Sequence, residues 1–179
     1  MRPLRFEVPA GDAAVAGAAL GTAWALKAFY SKAGFDSLGW ILGPTVRLVS
    51  WTTGVAFELE PHHGYLSRDQ LFLVSPACAG VNFLIVAFVS LCLGLAPACG
   101  RAGERVALVL GSAAAAYLAT VLANAARIAV AIRLHEAGAA LGPLTPSRLH
   151  CAEGVTVYFL FLLVLFSAAA RVTGVRHAV

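Results

Sequence analysis

Charge is scarce in this chain. Of its 179 residues 12% are charged and 60% hydrophobic, against roughly 25% charge in a typical soluble domain. A soluble fold of this size has too little interior to hide so much apolar surface, so the solvent it is built for is the bilayer. The net charge of +4 is spread thinly with no basic run. That argues against nucleic acid as a partner and for anionic lipid at most. A clear cleavage site is also missing: Arg2 and Arg5 precede an apolar stretch that no small-residue motif ends, so the first span is expected to stay in the mature protein. There is no appended soluble domain, long linker or internal repeat, and residues 1–179 read as one integral membrane domain. The four cysteines include no C-x-x-C pair, which disfavours a thiol oxidoreductase.

What is present are long, uncharged apolar runs. A helix needs about 20 such residues to cross a bilayer. The runs place spans at about Ala13–Phe29, Leu38–Phe57, Cys78–Leu95, Val106–Leu134 and Cys151–Ala170. The fold class expected is therefore all-α, a polytopic transmembrane bundle of about five spans. A β-barrel is disfavoured because the runs do not alternate. The fourth run is long for one crossing and must tilt, protrude or break near Thr120–Asn124. Small residues at Ala13–Ala19 and Ala113–Ala116 permit close helix packing.

Five crossings would put the polar stretches Glu58–Gln70 and His135–His150 on one side. They would put Arg101, Arg105, Arg171 and Arg176 on the other, which the positive-inside rule makes cytoplasmic. Lys27 and Lys32 would then face inward and the N-terminus outward. Arg2, Arg5, Arg68 and Arg148 run against that assignment.

Charge inside a span is costly and demands a reason. Arg127 lies roughly 10 Å below the outer end of the fourth span, with Asn124 on the same helix face. A snorkelling arginine is the plain alternative. Cys78 opens the third span within Ser75-Pro76-Ala77-Cys78-Ala79-Gly80-Val81-Asn82-Phe83, among small neighbours that let a substrate backbone approach. His150 opens the fifth span in His150-Cys151-Ala152-Glu153-Gly154, and Glu153 is placed to orient its imidazole. Taken singly, Cys78 reads as a small buried hydrophobe and His150 as an interfacial histidine. Taken together, three spans bring Cys78, Arg127 and His150 toward one face. Acyl transfer through a thioester requires that set: a nucleophile, an acid or base, and a cation for the developing oxyanion. A Cys78–Cys151 disulfide would remove the nucleophile. Cys92 and Cys99 lie toward the other face and read as structural.

These segments resemble the exosortase/archaeosortase family of membrane-embedded sorting enzymes. The matching pieces are Ala77-Cys78-Ala79-Gly80, then Asn124-Ala125-Ala126-Arg127-Ile128, then His150 with Gly154, in the family's order and spacing over about Phe57 to Phe166. The context of His150 looks most like the exosortase K class. The resemblance implies a bacterial inner-membrane cysteine protease or transpeptidase, working near the outer, periplasmic face without a cofactor. Its partner would be a C-terminal sorting signal made of a short motif, a hydrophobic helix and a basic tail. It implies Cys78 as nucleophile with Arg127 and His150; Gly80, Asn82, Asn124, Glu153 and Gly154 are the supporting residues expected around them. One departure is Ala79, where the family usually has serine, so a hydroxyl donor beside the thiolate is lost.

Two other readings stand beside this one. A small transporter or channel subunit would use Arg47 and Arg127 to line an anion path, but no inverted repeat or paired broken helices accompany them. Glu58-Leu59-Glu60-Pro61-His62-His63 offers metal-ligand types, but at no strong metal spacing, so a solvated loop is favoured.

Overall fold

The computed structural model describes residues 9–69, 72–136 and 146–173, with residues 146–151 and 173 described by backbone alone. Five α-helices dominate: α1 (Ala10–Tyr30), α2 (Gly39–Thr53), α3 (Val81–Leu95), α4 (Ala102–Glu136) and α5 (Pro146–Thr173). The all-α bundle expected from the apolar runs is what forms. Three stretches are long and apolar enough to cross a membrane, namely Pro76–Ala98, Ala102–Glu136 and Ala152–Val172. The outward apolar surface suits lipid, with Leu110 66%, Leu118 60%, Phe159 59% and Val164 67% exposed.

The helix directions differ from the expected order. Lys27, near the end of α1, donates to Asn82 at the start of α3 at 2.8 Å, and Tyr30 donates to the Pro76 carbonyl at 3.3 Å. At the other end Arg105 pairs with Asp12, near the start of α1, at 3.1 Å. So α1 runs antiparallel to α3 and parallel to α4. Lys27 therefore belongs to the Cys78 end, and the start of α1 lies with the α3–α4 connection. The reason is that the segment between Tyr30 and Pro76 leaves and re-enters at one end. Its one α-helix among the described residues, α2, does not carry the chain to the other end. At 15 residues α2 is also shorter than a crossing needs. Gly54 stops it in the left-handed conformation (φ 77°), donating to the Ser50 carbonyl.

α2 runs alongside the outer half of α4. Tyr117 donates to the Trp40 carbonyl at 2.8 Å, and Arg133 donates to the Thr53 carbonyl at 3.5 Å. The first bond has a sequence cause. Pro44 lies inside α2 and has no N–H, so the Trp40 carbonyl four residues back loses its helical donor. The Tyr117 hydroxyl supplies one from α4, and the two rings stack at 5.9 Å. Ile41, Leu42, Thr45, Val46 and Val49 form the buried face of α2.

α4 is a single unbroken helix of 35 residues, about 52 Å long against a hydrocarbon core of about 30 Å. It does not break near Thr120–Asn124, and α2 covers it from Tyr117 to Arg133. Between α2 and α3 the chain makes an antiparallel meander, β1 (Glu58–Glu60), β2 (Gly64–Ser67) and β3 (Phe72–Val74), in that order. Tyr65 opposes both Leu59 and Val74 in register and packs edge-on against Phe35 at 5.4 Å. The meander thus caps the Cys78 end. Glu58, His62 and His63 are spent on local contacts here: Arg68 with Glu58 at 2.7 Å, His62 with Asp36 at 3.0 Å and His63 with the Pro61 carbonyl at 2.9 Å.

The Asp12–Arg105 pair is largely buried, at 16% and 22% side-chain exposure. The Arg105 guanidinium also fills the space a side chain at Gly11 would need. Asp12→Ala is expected to cost about 1–3 kcal/mol, since it strands a partly buried cation. The check is the thermal midpoint of the detergent-solubilised protein. An unchanged midpoint would show that the pair holds nothing.

Candidate functional site

Cys78 ends a 3-10 turn, Pro76–Cys78, that leads into α3. Proline at the turn's first position suits it, because no N–H is needed there. Gly80 then takes the left-handed conformation (φ 69°) and lets α3 begin at Val81. A Cβ on Gly80 would stand 3.2 Å from the Thr120 methyl and 3.4 Å from the Asn124 amide. Gly80→Ala is therefore expected to cost about 1–2 kcal/mol from the backbone alone, measured as a lower thermal midpoint, and more if Thr120 cannot yield. The thiol of Cys78 is free and half-buried.

The backbone at Cys78 is fastened to α4. The side-chain amide of Asn124 donates to the Cys78 carbonyl, and Asn124 is fully buried at 0% exposure. Its own oxygen accepts from the Tyr158 hydroxyl of α5 at 2.9 Å. Arg127, one turn further along α4, donates to that same hydroxyl at 3.4 Å, and its guanidinium lies 5.6 Å from the Tyr158 ring centre. Phe83 of α3 stacks on Tyr158 at 5.0 Å. A chain of contacts thus runs from Arg127 through Tyr158 and Asn124 to the Cys78 carbonyl, drawing on three helices. Buried polar groups linked in this way fix one geometry, because each broken link leaves a neighbour unsatisfied.

Gly154 of α5 lies against Arg127. A Cβ there would stand 2.9 Å from Nε. Glu153 is near enough to Arg127 for their opposite charges to interact. Of the residues singled out in the sequence, the structure therefore gathers Cys78, Gly80, Asn124, Arg127, Glu153 and Gly154. Asn82 is not among them: it is exposed and turned to α1, where it holds Lys27. His150 belongs to the first turns of α5, four residues before Gly154, and its side chain lies outside the described residues. Among the described residues no three His, Cys, Asp or Glu side chains gather as a metal site.

Tyr158, Tyr30 and Phe83 were not legible as site residues. Tyr158 left one trace: it follows His150 and Gly154 at successive four-residue steps, a polar aromatic on that face of an otherwise apolar run. Tyr30 carries the end of α1 to the site, bonded to the Pro76 carbonyl and close enough to Cys78 and Tyr158 to interact electrostatically.

The arrangement offers a thiol on a pinned backbone at the mouth of a helix, whose first amides lack intrahelical acceptors as at any helix start, with a cation one helix away. No family model, curated protein or solved structure matches the chain.

Proposed function

We propose that this protein is a membrane-embedded cysteine transpeptidase or protease that cleaves C-terminal sorting signals through a thioester at Cys78. The observation that carries the reading is the convergence of Cys78, Asn124 and Arg127 from α3 and α4, braced by Tyr158 of α5, at one end of an apolar bundle. The likeness of the Cys78, Arg127 and His150 segments to the exosortase/archaeosortase family supports the same chemistry. In the proposed reaction the Cys78 thiolate attacks a peptide carbonyl of the substrate at the membrane surface. Arg127 and the first amides of α3 receive the oxyanion. His150 protonates the leaving amine. Water or an acceptor amine then resolves the thioester and regenerates the thiol.

The sorting signal fits such a place physically. Its hydrophobic helix would lie beside the bundle in the bilayer, which leaves the preceding motif at the depth of Cys78. The basic tail would stay with Arg101, Arg105 and Arg171, at the end that the positive-inside rule makes cytoplasmic. The site then faces the periplasmic side of a bacterial inner membrane. The transporter reading gains nothing from the geometry, since Arg47 lies on the exposed face of α2 and Arg127 lies against Tyr158 of α5.

The test is processing of a co-expressed candidate ending in a short motif, a hydrophobic helix and a basic tail. Wild type should cleave it, and folded Cys78→Ser, Arg127→Ala and His150→Ala should each leave it intact. Cleavage that survives Cys78→Ser would overturn the proposal.

A further inference from the structure

The exposed side of α2 carries a cation that the site does not use. Trp40, Arg47 and Trp51 fall at steps of seven and four residues, so they form one stripe along the helix. Trp40 is 40% exposed and Trp51 83%. Arg47 is exposed and makes no hydrogen bond or ion pair among the described residues. The opposite side of α2 is buried against the bundle.

The depth of this stripe follows from the pairing with α4. Trp40 stands beside Tyr117, and the two helices run in the same direction with the same rise per residue. Seven residues on, Arg47 therefore reaches the level of Asn124, which is the level of the Cys78 carbonyl. That level divides the molecule. From it down to Val106 the exposed large side chains of α4 are apolar: Val106, Leu110, Leu118 and Leu122. Beyond it come the exposed pairs Arg133–Glu136, Arg68–Glu58 and His62–Asp36. Tryptophan and arginine on a helix that enters and leaves at one end of a membrane bundle are suited to the headgroup layer, where a ring lies half in hydrocarbon and a guanidinium meets phosphate.

We infer that α2 is an anchor that straddles the interface: its Trp40–Arg47–Trp51 stripe runs from the hydrocarbon, at Trp40, past the headgroup layer toward Trp51, and Arg47 binds the phosphate of an anionic phospholipid. Arg47, unpaired among the described residues, is what commits the surface to an anionic headgroup. The consequence is that Cys78 is held at headgroup depth, where a segment just outside the hydrocarbon would meet it. The anchor stands whether or not Cys78 is a nucleophile.

The experiment uses the full chain with Trp24→Phe and Trp51→Phe, so that Trp40 alone fluoresces, in phosphatidylcholine vesicles. Trp40 keeps its stack on Tyr117, and circular dichroism checks the fold. Quenching of Trp40 is compared for brominated phosphatidylglycerol and brominated phosphatidylcholine at equal mole fraction, and for aqueous acrylamide. The expected result is quenching by both lipids with phosphatidylglycerol favoured, and about a fivefold loss of that preference in Arg47→Gln. Quenching by acrylamide with none by lipid would overturn the inference, because α2 would then stand in water. Equal quenching by the two lipids would overturn the role of Arg47. Protection from lipid and acrylamide alike would mean that protein covers the stripe, which also overturns it.

Discussion

Replacing Cys78 with serine is expected to lower the proposed sorting-signal cleavage by about a thousandfold or more, the usual scale for losing a nucleophile. The thiol is free and half-buried. The bond that pins the site is made by its backbone carbonyl, which serine keeps. Abundance and thermal midpoint should therefore stay near wild type while activity disappears. That separation gives the prediction its force. A variant that lost both would say only that Cys78 packs. Gly80→Ala serves as the opposite control: it strains the backbone beside the thiol but leaves the sulfur, so stability should fall first.

The second large effect is on stability. Asn124 has no exposure and joins two partners, the Cys78 carbonyl and the Tyr158 hydroxyl. Asn124→Ala leaves both without their bond at a buried place, at an expected cost of about 2–4 kcal/mol. Tyr158→Phe removes one hydroxyl while keeping the stack on Phe83, and should cost about 1 kcal/mol. The double variant should cost at least about 0.5 kcal/mol less than the sum, because the two changes break a shared bond. Thr156→Ala on the exposed side of α5, where the hydroxyl only returns to the Ala152 carbonyl, should be near neutral. If Asn124→Ala proved as mild as Thr156→Ala in thermal unfolding, the proposed bracing of Cys78 would be wrong.

The helices were largely legible in the chain, and their order in space was not. The runs around Cys78–Leu95, Val106–Leu134 and Cys151–Ala170 are apolar enough that hydropathy alone finds them. The run from Leu38 to Phe57 misleads for the same reason. It is apolar because α2 buries Leu42, Val46 and Val49 against α4, so counting it as a crossing reversed the placement of Lys27 and the N-terminal end. Arg47 held the clue. A charge that is awkward in mid-membrane becomes ordinary once the segment that carries it leaves and re-enters at one end of the bundle. The meander of Glu58–Val74 escaped notice because strands of three or four residues carry almost no periodic signal.

The candidate site divides in the same way. Cys78, Asn124 and Arg127 were visible as residue types out of place in apolar runs, and the fold gathers them. Tyr158 was hidden, because a tyrosine in an apolar helix is unremarkable until its hydroxyl is seen between two polar groups. Asn82 looked like part of the cysteine motif by proximity. One helical step of about 100° turns it toward α1 instead.

The most direct test is to look for the covalent intermediate itself. Purified protein is mixed with a candidate sorting-signal peptide in lipid, quenched in acid and analysed by intact mass and peptide mapping. The account predicts an adduct on Cys78 with the mass of the amino-terminal cleavage fragment, released by neutral hydroxylamine as a thioester should be, and missing from Cys78→Ser. Cleavage that proceeds with no adduct, and at an undiminished rate in Cys78→Ser, would contradict it.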